Sequence, residues 1–203
     1  MSKNLRGYAP YNVKRLVMWV YDEDKDTYST TPISLEGTAM SYKDDLSSSS
    51  TELYGDGVLI DIATVKNKGT LELGVSLDLR GEKREAVFGE VFKNNVNITT
   101  SNDVIPVVAV ALMTTTSTGK VNLRKWLRAI FNPNNEEVKQ IESSGTFSTA
   151  TITGTYFPDD KGRMRARIDH LDAVTDKEII EKWFTEAEYL SDTTTQEENS
   201  GTE

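Results

Sequence analysis

His170 is the side chain in this sequence with the widest chemical repertoire, and it is flanked by two acids, Asp169 and Asp172. An imidazole near carboxylates could transfer protons or bind a metal ion near neutral pH. A single histidine, however, forms no His pair and no His-rich metal cluster, and this one follows a predicted strand. We therefore interpret His170 as a solvated, pH-sensitive surface residue.

The other patterns with known chemistry are incomplete. The chain contains no cysteine, which excludes thiol nucleophiles, disulfides and zinc–thiolate sites. The segment GEKR at 81–84 lacks the glycine spacing and the Lys-Ser/Thr ending of a phosphate-binding loop. The acidic turns at 22–26 and 44–45 lack the central glycine and final glutamate of a calcium loop. We accordingly predict no catalytic residues, no cofactor and no metal ion, and we expect a protein that is not an enzyme.

Five arginines fall on two predicted strands: Arg124, Arg128, Arg163, Arg165 and Arg167. The last three alternate along the chain, so they point to one face of their strand. Three interpretations stay open for this face: a solvated sheet surface, a nucleic-acid surface, or a partner surface that meets acids. No aromatic residues interleave with the three arginines to stack on bases, which disfavours nucleic acid. The acidic segment 176–188 favours a partner surface, either within one subunit or between subunits.

The net charge of −9 is concentrated at one end of the chain. Residues 176–203 hold nine acids and two bases, a net charge of −7, which leaves 23 acids and 21 bases, a net charge of −2, elsewhere. A nearly balanced body gives no general argument for binding nucleic acid. No apolar run is long enough to span a membrane, and the first residues do not resemble a signal peptide. We therefore expect synthesis in a cytoplasm and no membrane partner.

Alternating apolar residues predict a mainly β chain. A hairpin is expected at 13–33, because both of its halves are rich in β-branched and aromatic residues. Leu71, Leu73, Val75 and Leu77 share one face of a further strand, with the period of two that a core-facing strand shows. Additional strands are predicted at 34–41, 104–113, 121–131, 145–157 and 163–168.

Two segments change to a helical period. Residues 82–92 place apolar side chains three and four apart, which predicts a helix that ends before Asn94. Near the C-terminus, Thr175 and Glu178 form a capping box, in which each side chain satisfies a free backbone N–H. One side of the helix that follows carries four apolar side chains: Ile179, Ile180, Trp183 and Phe184. We predict that this helix docks on the core through them.

A long polar segment at 43–61 interrupts the strand pattern. It contains four consecutive serines and then the run TELYGDG at 51–57, which together predict a loop. Six of its residues form the predicted contact with a partner: Leu46, Leu53, Tyr54, Asp56, Leu59 and Ile60. Five of these are apolar, which a purely solvated loop would not need. We predict that the loop is mobile in the free subunit and becomes ordered against the partner.

Together these elements predict a mainly β fold, a β-sandwich or partial barrel with one or two packed α-helices and a long inter-strand loop. We divide the chain into an N-terminal arm at 1–12, one domain at 13–190 and an acidic tail at 191–203. The tail has too little apolar surface to order itself, so we expect it to be disordered.

The order of these elements resembles the major tail proteins, or tail tube proteins, of bacteriophages with long non-contractile tails. The N-terminal hairpin, the run TELYGDG at 51–57, the strand entry NKGTLEL at 67–73, the following helix and the later strands carry the resemblance. It covers most of the chain, about 13–187. The resemblance implies a β-sandwich flanked by a helix, in subunits that form hexameric rings. The rings stack into a hollow tube through which the genome passes.

The partners that this resemblance implies are further copies of the chain and the tape-measure, tail-tip and tail-terminator proteins. Viral DNA would slide through the lumen without sequence-specific binding. The implied location is the virion tail, assembled in the host cytoplasm.

Two alternatives stay open. The first is a tube protein of a contractile tail, or of a secretion or tailocin apparatus. The second, from another class, is a monomeric β-sandwich module that binds a receptor or a carbohydrate. Such a module would expose clustered aromatic residues, whereas Trp19, Trp126 and Trp183 lie on patterned elements.

Overall fold

The structure of the protein, a computed structural model, describes residues 10–35, 37–55, 58–76, 79–133 and 150–190. The side chains at 11, 51–63 and 65 are not part of that description. The predicted tail at 191–203 lies outside the described residues. Most of the predicted N-terminal arm at 1–12 does so too, but its last three residues belong to the first strand.

Within these ranges the chain forms eleven strands and two helices, which confirms the predicted mainly β class. The first strands are β1 (Pro10–Asp22), β2 (Thr27–Tyr28), β3 (Ile33–Ser34), β4 (Ala39–Gly55) and β5 (Val58–Val75). Helix α1 (Glu82–Phe88) and the strands β6 (Val91–Lys93) and β7 (Val96–Ile98) follow. The remaining elements are β8 (Val108–Thr116), β9 (Val121–Phe131), β10 (Ala150–Phe157), β11 (Arg165–Leu171) and α2 (Lys177–Thr185).

Nine of the described strands form one antiparallel sheet, in which β2-β1-β8-β9-β10-β5-β4 is the main order. Strand β3 pairs with β1, and β11 pairs with β9. The sheet branches at β9, whose residues 121–126 pair with β11 and whose residues 128–131 pair with β10. The part of the sheet formed by β10, β5 and β4 curls back, so that β4 contacts β1. The result is a curled sheet in two layers.

Strand β1 shows how the sequence builds two cores from one sheet. Leu16 and Met18 face the inside of the curled sheet, whereas Val17 and Trp19 face its opposite side. All four side chains are at most 1% exposed. A strand that is buried on both faces needs an unbroken apolar run, and LVMW at 16–19 supplies it.

The inner core lies between the two layers, and its largest members are Phe88, Trp126, Phe131 and Tyr156. The outer core lies between the sheet and α2, and it includes Trp19, Leu123, Trp183 and Phe184. Complete burial of an apolar side chain of this size contributes roughly 1.5–3 kcal/mol. Of the predicted docking residues, Trp183 and Phe184 are thus fully buried, whereas Ile179 and Ile180 are half-buried.

The predicted helix at 82–92 ends four residues early, at Phe88. Gly89 follows in the left-handed conformation, with φ of 73°, and its N–H donates to the Glu85 carbonyl over 2.8 Å. A side chain at position 89 would overlap the Val104 carbonyl, so glycine is required there. Strands β6 and β7 instead form a hairpin, whose turn residues Asn94 and Asn95 both have positive φ.

The predicted capping box of α2 is wrong. Asp176, not Thr175, occupies the N-cap position, and its side chain makes no capping bond. The carboxylate of Asp172 accepts hydrogen bonds from the backbone N–H groups of Val174 and Thr175, at 3.0 and 3.2 Å. These bonds stabilise a turn that precedes the helix. Glu178 pairs instead with Lys182, at 3.1 Å, on the exposed side of the helix.

The predicted loop at 43–61 is also wrong, because its described backbone is in strands. β4 and β5 pair from Ala39 opposite Val75 to Gly55 opposite Val58, with three register shifts. Serine has little preference for strands, and the exposed polar residues at 47–50 and 66–68 show no alternation of apolar and polar side chains. Both local signals therefore favoured a loop, whereas backbone pairing between the two strands forms the ribbon.

Candidate assembly surface

The β4–β5 hairpin extends well beyond the body of the protein. Strand β10 pairs with β5 only at residues 69–75. Burial changes at the same level, because β4 alternates between exposed and half-buried residues up to Leu46 and is fully exposed at 47–50. In β5 the described side chains at 64 and 66–68 are exposed, whereas Gly69 is buried. Residues 47–55 and 58–68 therefore project as a two-stranded ribbon, and we call the segment 47–68 the arm.

The arm is long relative to the body. Strand β4 contributes residues 47–55 to it, which at about 3.3 Å per residue extend roughly 30 Å. Its described side chains are polar or charged: Ser47, Ser48, Ser49, Ser50, Thr64, Lys66, Asn67 and Lys68. An isolated two-stranded ribbon is at best marginally stable in water. The arm therefore requires a partner or firm support where it leaves the body.

The predicted contact residues divide between the body and the arm. Leu46 is half-buried and packs against the inner core, so it supports the body rather than offering a free contact. Near the tip of the arm, Tyr54 is in register with Leu59. The side chains of four predicted residues, and the whole of a fifth, lie outside the described residues: Leu53, Tyr54, Leu59, Ile60 and then Asp56. Their predicted contact stays a prediction.

Strand β4 also leaves an open edge. It pairs with β5 on one side, and no described strand pairs with its other side. An open edge presents a row of unpaired backbone N–H and C=O groups, to which another chain can add a strand. At the body end the exposed residues Lys43 and Asp45 introduce charge, and Lys43 pairs with Glu72 at 3.2 Å. Charges of this kind limit uncontrolled pairing, whereas the serines at 47–50 carry none.

Four of the five arginines form ion pairs within the chain: Arg124 with Asp169, Arg128 with Asp160, Arg163 with Asp159 and Arg165 with Asp44. Strands β9 and β11 are neighbours, and Arg167 is in register with Arg124. None of these four pairs involves α2, which packs against the sheet through its apolar side. Within the subunit these four arginines therefore pair with acids outside the segment 176–188, and a match with that segment between subunits stays a prediction.

His170 lies at an irregularity of β11, with φ of 65°. Its backbone N–H donates to the side chain of Asn122 at 3.0 Å. Both flanking acids are engaged, because Asp169 pairs with an arginine of β9 and Asp172 pairs with Lys120 at 2.9 Å. The bonds from Lys120 and from two backbone N–H groups lower the pKa of Asp172 to about 2. No group of three or more His, Asp or Glu side chains in the described ranges could hold a metal ion.

Lys125 of β9 is a buried cation that sequence reasoning did not single out. Its ammonium donates to the backbone carbonyls of Glu186 and Tyr189, at 2.7 and 2.8 Å. Its nitrogen lies 5.4 Å from the ring centre of Trp19 and 4.7 Å from that of Trp183, where an indole attracts a cation. Burial lowers the pKa of Lys125 to about 7, against the opposing effect of the Glu186 carboxylate. Lys125 thus ties the segment that follows α2 to the sheet.

An open hollow lies beside the β1–β2 turn, lined by residues 20–22, 25 and 27–31. Its two charged side chains, Asp22 and Lys25, pair with each other at 2.5 Å. The hollow therefore offers no unmatched charge to a ligand. Neither described helix is long and apolar enough to cross a membrane.

Comparison with known proteins assigns no family to the chain. No protein-family model matches it, and no curated protein is similar enough to be counted as a relative. Its function is therefore inferred from the arm, the open edge of β4 and the resemblance in element order.

Proposed function

We propose that this protein is a self-assembling structural subunit, a tail tube protein whose copies form hexameric rings that stack into a bacteriophage tail tube. The arm is the observation that carries the proposal. Because the arm extends beyond the body, it adds little to the stability of its own domain, so its value lies in reaching a neighbour. The element order that resembles the tail tube proteins supports the same function.

Two kinds of contact follow from the proposal. The body end of the β4 edge, residues 39–46, suits a neighbour in the same ring, whose sheet would continue the ladder head to tail until the ring closes. The arm suits a subunit of the next ring, because it extends beyond the body. Both contacts would cover backbone groups that are otherwise open to uncontrolled pairing.

The other proposed partners are the tape-measure, tail-tip and tail-terminator proteins, and viral DNA that passes through the lumen. The proposed location is the virion tail, after assembly in the host cytoplasm. The ion pairs of the arginines within the chain support passage of DNA without binding, because matched charges attract phosphates weakly. The same kind of subunit would also suit the tube of a contractile tail or of a secretion apparatus. A gene for a sheath protein nearby would distinguish such a tube from that of a non-contractile tail.

Hydrogen exchange in the monomer and in assembled polymers tests the proposal. In the free subunit, the amides that pair β4 with β5 should be protected, whereas the outward-pointing amides of β4, which have no partner among the described strands, should exchange fast. Assembly should slow these outward-pointing amides by at least about ten-fold, since each would gain a partner. The exposed turn at 117–119 serves as an internal control and should exchange alike in both states. If the outward-pointing amides of the arm still exchange fast in polymers, the arm does not form a contact between subunits.

A further inference from the structure

The arm leaves the body at one cross-strand pair, Leu46 of β4 opposite Gly69 of β5. Leu46 packs against the inner core and Gly69 is buried, whereas the described side chains beyond them are exposed. Any support that fixes the direction of the arm must therefore act at this pair or just before it. We call residues 44–46 and 69–71 the root of the arm.

Tyr156 of β10 contacts both strands at the root. Its register partner on β5 is Gly69, and a side chain on that glycine would overlap the phenol ring. The ring therefore lies directly against the backbone of β5, which the absence of a Cβ permits. Tyr156 is fully buried, and its hydroxyl donates to Oδ1 of Asp44 on β4 at 2.7 Å.

The second oxygen of the same carboxylate accepts a hydrogen bond from Arg165 of β11. Strand β11 pairs with β9, so this contact joins the hairpin to the other branch of the sheet. The Asp44 side chain is 15% exposed and that of Arg165 is 30% exposed. Partial shielding from water makes such a pair stronger than one on the open surface. Burial and the bond to Asp44 raise the pKa of Tyr156, so the phenol remains a donor at neutral pH.

From this geometry we propose that Tyr156, Asp44 and Arg165 form a clamp that sets the direction of the arm for assembly. The inference rests on the proposed function, because the direction matters only if the arm must reach a neighbour. A two-stranded ribbon twists and bends at its base unless both strands are held. Here the Tyr156 ring packs against β5. The Asp44 carboxylate, which accepts a hydrogen bond on each of its oxygens, holds β4. All three are positioning residues, since they act on the partner through the arm.

Distance measurements between spin labels test the clamp in the full chain. The chain has no native cysteine, so two introduced cysteines are labelled without competition. Ser50→Cys places one label on the arm, and Ser117→Cys places the other on the exposed β8–β9 turn. Double electron–electron resonance on the dilute monomer then gives the distribution of arm-to-body distances. We expect one narrow distribution for the chain with an intact clamp.

Two substitutions remove the polar contacts of the clamp without creating a cavity in the core. Tyr156→Phe keeps the ring against Gly69 but removes the hydroxyl, and Arg165→Met removes the charge. The double variant should widen the distance distribution about two-fold, because both oxygens of Asp44 lose their partners. Arg165→Lys should restore part of the narrow distribution, since lysine can still pair with the carboxylate.

Lys43→Met is the matched control for these variants. It breaks the exposed pair between Lys43 and Glu72, which joins the same two strands on the opposite face of the hairpin. The distribution of arm-to-body distances should keep its width in this variant. A control that widens the distribution as much as the double variant does would overturn the clamp.

The measurements separate failure of the clamp from failure of the proposed function. A double variant with a lower thermal midpoint but an unchanged distribution would overturn the clamp and leave a purely structural role. A wider distribution with assembly at the usual concentration would uphold the clamp and overturn the role of the arm in assembly. A wider distribution together with an assembly threshold raised about ten-fold or more would support both, because a poorly directed arm must be ordered on binding.

Discussion

Lys125 occupies a site where a lysine is seldom buried without compensation, inside the outer core and between two indole rings. Its ammonium finds two backbone acceptors, on Glu186 and Tyr189, in the segment that follows α2. Removal of those acceptors would leave a buried cation without hydrogen bonds, which is costly. The docking of that segment therefore depends on Lys125.

Lys125→Met should abolish one component of the pH dependence of stability. The unfolded chain keeps this proton up to the ordinary pKa of 10.5, whereas burial lowers the pKa in the folded protein to about 7. Between these values the unfolded chain binds more protons, so the free energy of unfolding should rise with pH. From pH 7 to about 9.5 the rise should be roughly 2–3 kcal/mol.

Denaturant titrations at several pH values measure this rise. The methionine variant should lack it over the same window. A parent protein whose free energy of unfolding is as flat as that of the variant would show that Lys125 keeps its ordinary pKa when folded.

Trp183→Ala should be strongly destabilising. The indole is fully buried, its N–H donates to the Arg124 carbonyl at 3.3 Å, and it lies beside the Lys125 ammonium. Truncation leaves a cavity in the outer core, so the free energy of unfolding should fall by about 3–5 kcal/mol. Lys177→Ala, which removes an exposed pair with Glu181 on the same helix, should cost less than about 0.5 kcal/mol. Similar losses for both variants in chemical denaturation would argue against docking of α2 on the core.

At the level of elements, β5 carries two glycines with different surroundings. An added methyl group at Gly69 would meet the Tyr156 ring, whereas one at Gly74 would meet the Ser41 hydroxyl, which can rotate away. Gly69→Ala should therefore cost roughly 1–3 kcal/mol, as overpacking does. Gly74→Ala should change stability by less than about 0.5 kcal/mol. Thermal unfolding of the two variants measures the difference, and equal losses would contradict the packing of Tyr156 against Gly69.

The elements differ in how far the sequence predicts them. β1 is predictable, since residues 16–19 face two cores and must all be apolar. The early end of α1 has a local signal in Gly89 and in Asn94 and Asn95, residue types that tolerate positive φ. The arm gives a mixed signal, because the β-branched run VLIDIATV at 58–65 favours a strand, whereas the serines at 47–50 and the run TELYGDG at 51–57 favour a loop.

The support at the root of the arm is harder still to predict. Asp44 and Arg165 are 121 residues apart in the chain, and their contact depends on how the sheet branches and curls. In the sequence, Asp44 is one acid of a polar turn and Arg165 one arginine of an alternating series. Neither pattern indicates the other, so the pair emerges only from the fold.

At the level of the whole molecule, the structure combines a body with two closed cores and an arm whose described side chains are polar and exposed. The body folds around its own apolar residues, so the monomer should be stable without a partner. Assembly would then depend on the arm and the β4 edge, and it would leave the fold of the body unchanged. Folding and polymerisation should therefore be separable by mutation.

The most direct test of the proposed function is the assembly state of the full chain and of a chain without the arm. In the second protein an Asn-Gly turn replaces residues 47–68 and joins Leu46 to Gly69. Sedimentation velocity across a range of concentrations, with negative-stain microscopy of the same samples, measures assembly. Circular dichroism and the thermal midpoint check that the body remains folded.

The full chain should form rings and tubes as its concentration rises, or when tail-tip components are added. The armless chain should keep the circular dichroism and thermal midpoint of the body but fail to extend tubes. A full chain that stays monomeric at every concentration, even with tail-tip components present, would contradict the proposed function. Tubes that form equally well without the arm would contradict the role of the arm.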